Sequence, residues 1–136
     1  MSLSCPRSIV AVALTGLWIN ASEFFRNEML LKDRWVGHYE SLGMDFPSGA
    51  RNGAVWAAWG FLFAVAIYSI SRRFGLLRTA LIAWLMGFVL MWAVAWNLNV
   101  LPTSILVYAV PLSLLEVFVG SYISLKCAPP AAADMN

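Results

Sequence analysis

Between Arg78 and Glu116 the chain carries no charged side chain at all. That stretch is too long for one membrane crossing and too apolar for a soluble fold, so it has to turn back on itself inside a bilayer. In lipid every backbone N–H and C=O must be paired within the protein, which leaves helices or closed barrels as spanning structures. Alternating strands of the barrel type are absent. The stretch therefore reads as two helices, broken at "NLNVLPTS", where Asn97, Asn99 and Pro102 supply turn chemistry.

Two more runs of spanning length precede it, so four membrane helices are expected at 8–25, 53–71, 79–99 and 105–125. Composition points the same way: 61% of residues are hydrophobic and 12% charged, against about 25% charged in soluble domains. The expected fold class is an all-α integral membrane protein, a four-helix transmembrane bundle forming one domain over 1–126. Residues 127–136, with "APPAAADMN" and no apolar periodicity, are expected to be a disordered tail. Arg7 ahead of an apolar run ending in "INASEF" also fits a cleaved leader. The run is long enough to span and no small-x-small cleavage site follows, which favours a retained helix.

Arg72, Arg73 and Arg78 crowd the short link between the second and third helices, and Arg7 and Lys126 fall on the same side. Basic residues in short loops mark the cytoplasmic face, so both termini are expected to be cytoplasmic, in a bacterial inner membrane. Cys5 and Cys127 would then face a reducing compartment as free thiols. The formal charge of +2 arises from loop residues and speaks of topology and anionic lipid, with no nucleic-acid partner expected.

The long first loop holds Leu31, Trp35, Tyr39 and Leu42 at steps of four, four and three, one apolar face of a helix. A short interfacial helix over about 28–42 is expected between helices one and two, stopped by "LGMDFPSG". His38, the single histidine, is taken as a packing residue there. It has no metal-binding constellation around it, and no metal or cofactor is expected.

Two small, polar stripes carry the functional argument. On the fourth helix Ala109, Ser113, Glu116, Gly120 and Ser124 share one face; on the first, Ala13, Gly16, Asn20, Glu23 and Asn27 do. Small residues at this spacing let helices approach closely in a bilayer, and the two stripes are expected to meet. An ionised Glu116 at mid-membrane needs a partner, a proton or a purpose. By depth, at about 1.5 Å of rise per residue, Asn20 is its expected partner, while Glu23 and Arg26 pair with each other nearer the outer surface. Trp56, Trp96 and Trp35 fit an interfacial belt. Trp92 and Trp18 are deeper, and Pro111 would free a backbone carbonyl near Glu116.

Glu116, Asn20, Glu23, Trp92 and Asn97 are thus the expected ligand-binding or proton-coupling residues, lining an outward-facing pocket for a lipophilic or cationic small molecule. The chain is expected to act as a homo-oligomer or within a larger membrane complex. The alternative is a non-catalytic accessory or assembly subunit whose stripes dock onto other helices. A membrane enzyme acting on a lipophilic substrate ranks third, because no second catalytic partner accompanies Glu116 or Glu23.

Overall fold

In the computed structural model, which describes residues 6–130, every regular element is helical. Helix α1 (Pro6–Phe24) runs on through a wide π-type segment, Phe25–Leu30, and helix α2 (Lys32–Ser41) follows at once. Helix α3 (Ala50–Ser71) is next. Then α4 (Leu76–Trp84), a second π-type segment (Leu85–Val89) and α5 (Leu90–Asn97) form one continuous rod. A single 3-10 turn, Thr103–Ile105, leads into α6 (Leu106–Cys127). Four of these units are long and apolar enough to cross a membrane: Pro6–Leu30, Ala50–Ser71, Leu76–Asn97 and Thr103–Cys127.

The expected breaks are where turn chemistry stood in the sequence. After α5, Asn99 takes a left-handed backbone (φ 60°), and the amides of Asn99 and Val100 bond back to the carbonyls of Trp96 and Ala95. This is the double hydrogen bond of a Schellman cap, with asparagine in the glycine position. Gly43 (φ 71°) closes α2 in the same way, Met44 N–H reaching Tyr39 O. Helix one differs from expectation: it extends through Leu30 rather than stopping at residue 25. Its added turn contains Arg26, Asn27 and Glu28, and it stays helical because those polar groups find partners inside the protein.

Helix α1 lies along both α3 and α6, and α4 lies along α6. Direction alternates, so Ser8, Tyr68, Ser71, Ser124 and Ala128 gather at the end that bears the termini, while α2 covers the other end. Ile19, Phe63, Ile67, Ala83, Phe88 and Val117 form the central core. Leu31, Leu101, Ile105 and Ala109 make a second cluster beneath α2. The outer surfaces carry Leu17, Leu62, Leu81, Val94 and Leu115, all exposed, the apolar exterior that helices in lipid require.

The α6 stripe is buried along its whole length: Ala109, Ser113, Glu116, Gly120 and Ser124 all face inward. Gly120 lets Thr15, Ile19 and Ile67 come within 3.4–3.6 Å of where its Cβ would stand. The α1 stripe is divided instead. Gly16 and Asn20 face α3, where a side chain on Gly60 would collide with the Asn20 amide, and Ala13 is exposed. What α1 presents to α6 is Thr15, Trp18, Ile19, Ser22 and Arg26. The two stripes therefore do not meet face to face as expected. At 100° per residue, Asn20 and Arg26 are about 120° apart around α1, so one cannot share the other's neighbour. Residues 131–136 of the expected tail lie outside the described residues, and its first members, Cys127 and Ala128, belong to the end of α6, with Arg72 donating to the Ala128 carbonyl.

Candidate functional site

Glu116 projects from the middle of α6 with no exposed surface. Its partner is Arg26, not Asn20. Arg26 Nη1 donates to Glu116 Oε2 at 2.6 Å, and Ser22 Oγ donates to the same oxygen at 3.0 Å. The other end of the guanidinium, Nη2, is paired with Glu23 Oε1. Glu23 Oε2 accepts from Asn27 Nδ2 at 2.8 Å, and Asn27 Oδ1 in turn accepts from Trp35 Nε1 of α2 at 3.1 Å. A continuous polar chain thus runs from Glu116 to the helix that covers the bundle end.

Helix geometry explains why Arg26 reaches a residue that a count of helical rise puts at a different depth. Every Cα–Cβ bond tilts toward the N-terminus of its own helix. Helices α1 and α6 are antiparallel, so Arg26 leans down toward Glu116 and Glu116 leans up toward Arg26. The long arginine side chain covers the rest of the gap. The π-type turn at Phe25–Leu30, with Leu31 N–H bonded to Arg26 O, opens the helix at this point. Such wide turns within α-helices recur at functional sites.

The cluster is almost closed to solvent: Arg26 is 3% exposed and Glu23 9%. Two carboxylates face one guanidinium, so the group has a formal charge of −1 unless it takes up a proton or another cation. Glu116 Oε1 is buried without a hydrogen-bond partner among the described residues. A carboxylate oxygen left bare in a low-dielectric interior costs several kcal/mol by a rough estimate, a cost that a proton taken up by the carboxyl pair removes. Trp18 Nε1 donates to the Glu116 main-chain carbonyl at 2.9 Å and fixes this turn of α6 against α1.

Phe88 forms the cluster's aromatic wall, with the Arg26 guanidinium carbon 5.0 Å from its ring centroid. Phe88 belongs to the second π-type segment, so the two widened turns of the molecule meet at this contact. Trp92 packs on Phe88 and Trp84 at centroid distances of 5.7 and 6.3 Å, separated from Glu116 by Phe88 and Arg26. Asn20 donates to Gly16 O and Ala57 O on the α3 side. Asn97 is exposed at the end of α5.

Of the five residues expected to share a pocket, then, Glu23 and Glu116 come together through Arg26, Trp92 stands behind Phe88, and Asn20 and Asn97 lie elsewhere. Cavities open on other faces. One groove of about 710 Å³, between α3 and the α4–α5 rod, is lined by Trp59, Phe63, Gly87 and Met91 among others. A second, of about 450 Å³, runs between that rod and α6 and has Trp84, Trp92 and Trp96 in its walls. Arg26, Ser22 and Phe88 are the site residues that periodicity alone missed. The i,i+3 spacing of Glu23 and Arg26 was visible, but which helix the pair would face was not. Comparison of the chain with known protein families, curated proteins and solved structures gives no match.

Proposed function

We propose that this is a small membrane protein that binds or transports a lipophilic or cationic small molecule, with Glu116 as the proton-exchanging group. The observation that carries the proposal is the charge count of the buried cluster: two carboxylates to one guanidinium, with Glu116 Oε1 unpaired. A group one cation short, held in the apolar interior of four membrane-length helices, is suited to exchanging a proton for a positively charged ligand. Glu23 shares the Arg26 guanidinium with Glu116 in this scheme. Trp92 contributes to its aromatic surround, and the outward-facing opening is assigned to the end covered by α2.

The end bearing Arg7, Arg72, Arg73, Arg78 and Lys126 has no acidic residue among those described, which supports a cytoplasmic assignment for both termini. On the same assignment α2 lies at the outer interface. Its apolar face rests on the bundle through Trp35, and Lys32, Asp33 and Glu40 are on its polar side. The accessory-subunit alternative is weakened because the α6 stripe it would use for docking is consumed inside the chain's own bundle.

Binding of tetraphenylphosphonium to the full chain in lipid nanodiscs tests the proposal. If the probe displaces a proton, its affinity rises with pH by up to about tenfold per unit, and binding releases protons into a weakly buffered medium. Glu116→Gln keeps the shape and most hydrogen bonding but removes the exchangeable proton. It should abolish both the pH dependence and the proton release. Binding that ignores pH, or that Glu116→Gln leaves unchanged, would overturn the assignment.

A further inference from the structure

We infer that Glu23 is the residue that keeps a proton on Glu116: as an ionised carboxylate it takes up one half of the Arg26 guanidinium, which leaves Glu116 neutral with one proton per chain on Oε1. This deepens the proposed function, on which its link to a ligand rests. Donors and acceptors around the four carboxyl oxygens decide where a proton can sit.

The indole Nε1–H of Trp35 can only donate, and it meets Asn27 Oδ1 at 3.1 Å. That fixes the Asn27 amide, so Nδ2 donates to Glu23 Oε2 at 2.8 Å. Glu23 Oε1 meets Arg26 Nη2, again a group that can only donate. Donors on both oxygens stabilise an ionised carboxylate, and Glu23 has no oxygen left free. Glu116 has one. Its Oε2 accepts from Arg26 Nη1 and Ser22 Oγ, while Oε1 is buried and bare.

Charge selects the same arrangement. The two end nitrogens of Arg26 hang from one carbon, so the carboxyls they bind are close neighbours, and one cation cannot satisfy two negative charges at that spacing in an apolar interior. With Glu23 ionised and Glu116 protonated the cluster is neutral. A neutral O–H costs far less to bury than the charge it replaces. Among the described residues no other charge joins the group. The α4–α5 rod has only Arg78 and α3 only Arg51, each exposed in the first turn of its helix, and Arg7, Arg72, Arg73 and Lys126 are at the end bearing the termini. Glu28 is paired with Lys32. On α2, Arg34 and His38 are bonded to Ser104 O and Asn99 O, and Asp33 and Glu40 are exposed. Removing Glu23 would hand the whole guanidinium to Glu116, which would then ionise and have no proton to exchange.

The test is the infrared carboxyl band of the full chain in lipid nanodiscs at neutral pH. Wild type should show a protonated carboxyl that disappears in Glu116→Gln. Glu23→Gln should reduce the band at least about tenfold although Glu116 itself is intact, and should unfold no more readily than wild type, because Glu116 and Arg26 remain as a neutral pair. Glu116→Asp should shift the frequency of the band, and Glu23→Asp should not. Combining Glu23→Gln with Glu116→Gln leaves Arg26 buried alone, and the ratio of unfolded to folded protein should rise at least about tenfold over either single variant. A full band retained in Glu23→Gln would mean that burial alone protonates Glu116, and would overturn the inference. A wild type without the band, a band that moves with Glu23→Asp, or a Glu23→Gln chain less stable than wild type would overturn it too. Tetraphenylphosphonium binding is scored apart. Proton release that survives Glu23→Gln would overturn the inference and leave the proposed function standing, whereas the expected band pattern without ligand-linked release would remove the proposed function and leave the proton on Glu116.

Discussion

The two ends of the bundle are closed by opposite chemistry. At the end bearing the termini the helices are joined by hydroxyls, Ser8 Oγ with Tyr68 Oη at 2.7 Å and Ser71 Oγ with Ser124 Oγ at 3.0 Å, Ser71 also donating to Tyr68 O, and by Arg72 donating to the Ala128 carbonyl, with no carboxylate among the described residues there. At the other end α1 and α6 are joined by Glu23, Arg26 and Glu116. A neutral hydroxyl pair registers two helices in lipid without desolvating a charge. An ion cluster is a costly substitute for such contacts, because removing charges from water takes several kcal/mol per ion by rough estimate. The hydroxyl contacts join α1, α3 and α6 at one end without a carboxylate, and that contrast is the strongest reason to look for a use of the ionic end.

The sharpest way to break the comparison is Arg26→Met. It strands two carboxylates, and we expect about 3–5 kcal/mol of destabilisation, measured as reversible unfolding in mixed micelles. The combined variant Glu23→Gln, Arg26→Met and Glu116→Gln removes all three charges together. Its stability should return to within about 1–2 kcal/mol of the wild type while proton-linked binding stays lost. If Arg26→Met cost no more than a hydroxyl deletion, Arg26 would not be what compensates the two buried carboxylates. At the opposite end, Tyr68→Phe and Ser8→Ala each remove the one neutral hydrogen bond between Ser8 Oγ and Tyr68 Oη. Each should cost about 0.6 kcal/mol in the same assay, with binding unaltered.

A smaller effect is expected at the cover of the ionic end. Helix α2 has no buried residue of its own and is fastened by Arg34 to Ser104 O at 2.8 Å, His38 to Asn99 O at 3.0 Å and Trp35 to Asn27. His38→Ala should shift global stability by less than about 0.5 kcal/mol. Amide hydrogen exchange over 32–41 should nonetheless accelerate while that of α3 and α6 is unchanged. Equal acceleration throughout would mean that α2 is part of the cooperative core rather than a separate cover.

Much of this architecture was legible from local signals. Asn97, Asn99 and Pro102 gave away the break in the charge-free stretch, and Gly43 the end of α2, because a left-handed backbone is cheap for few residues. The inward face of α6 followed from spacing, since Ala109, Ser113, Gly120 and Ser124, the small residues in line with Glu116, suit a close helix contact. The partner of Glu116 could not be found in this way. Asn20 matched it in depth, but depth is one coordinate of three, and the rotation of α1 turned Asn20 toward Gly60 of α3. The length and downward lean of the Arg26 side chain then completed a pairing that a Cα ruler placed out of reach.

By itself, then, the sequence determined four apolar helices, their turns, and the presence of an acid in the middle of the last. These are decided by hydrophobicity and backbone preference within one or two turns of chain. The tertiary structure alone decided that Glu116 shares Arg26 with Glu23 and that Phe88 stands against that arginine. Such relations depend on the relative rotation of packed helices. That rotation is set by the sum of many weak side-chain contacts across the bundle rather than by any short stretch of residues.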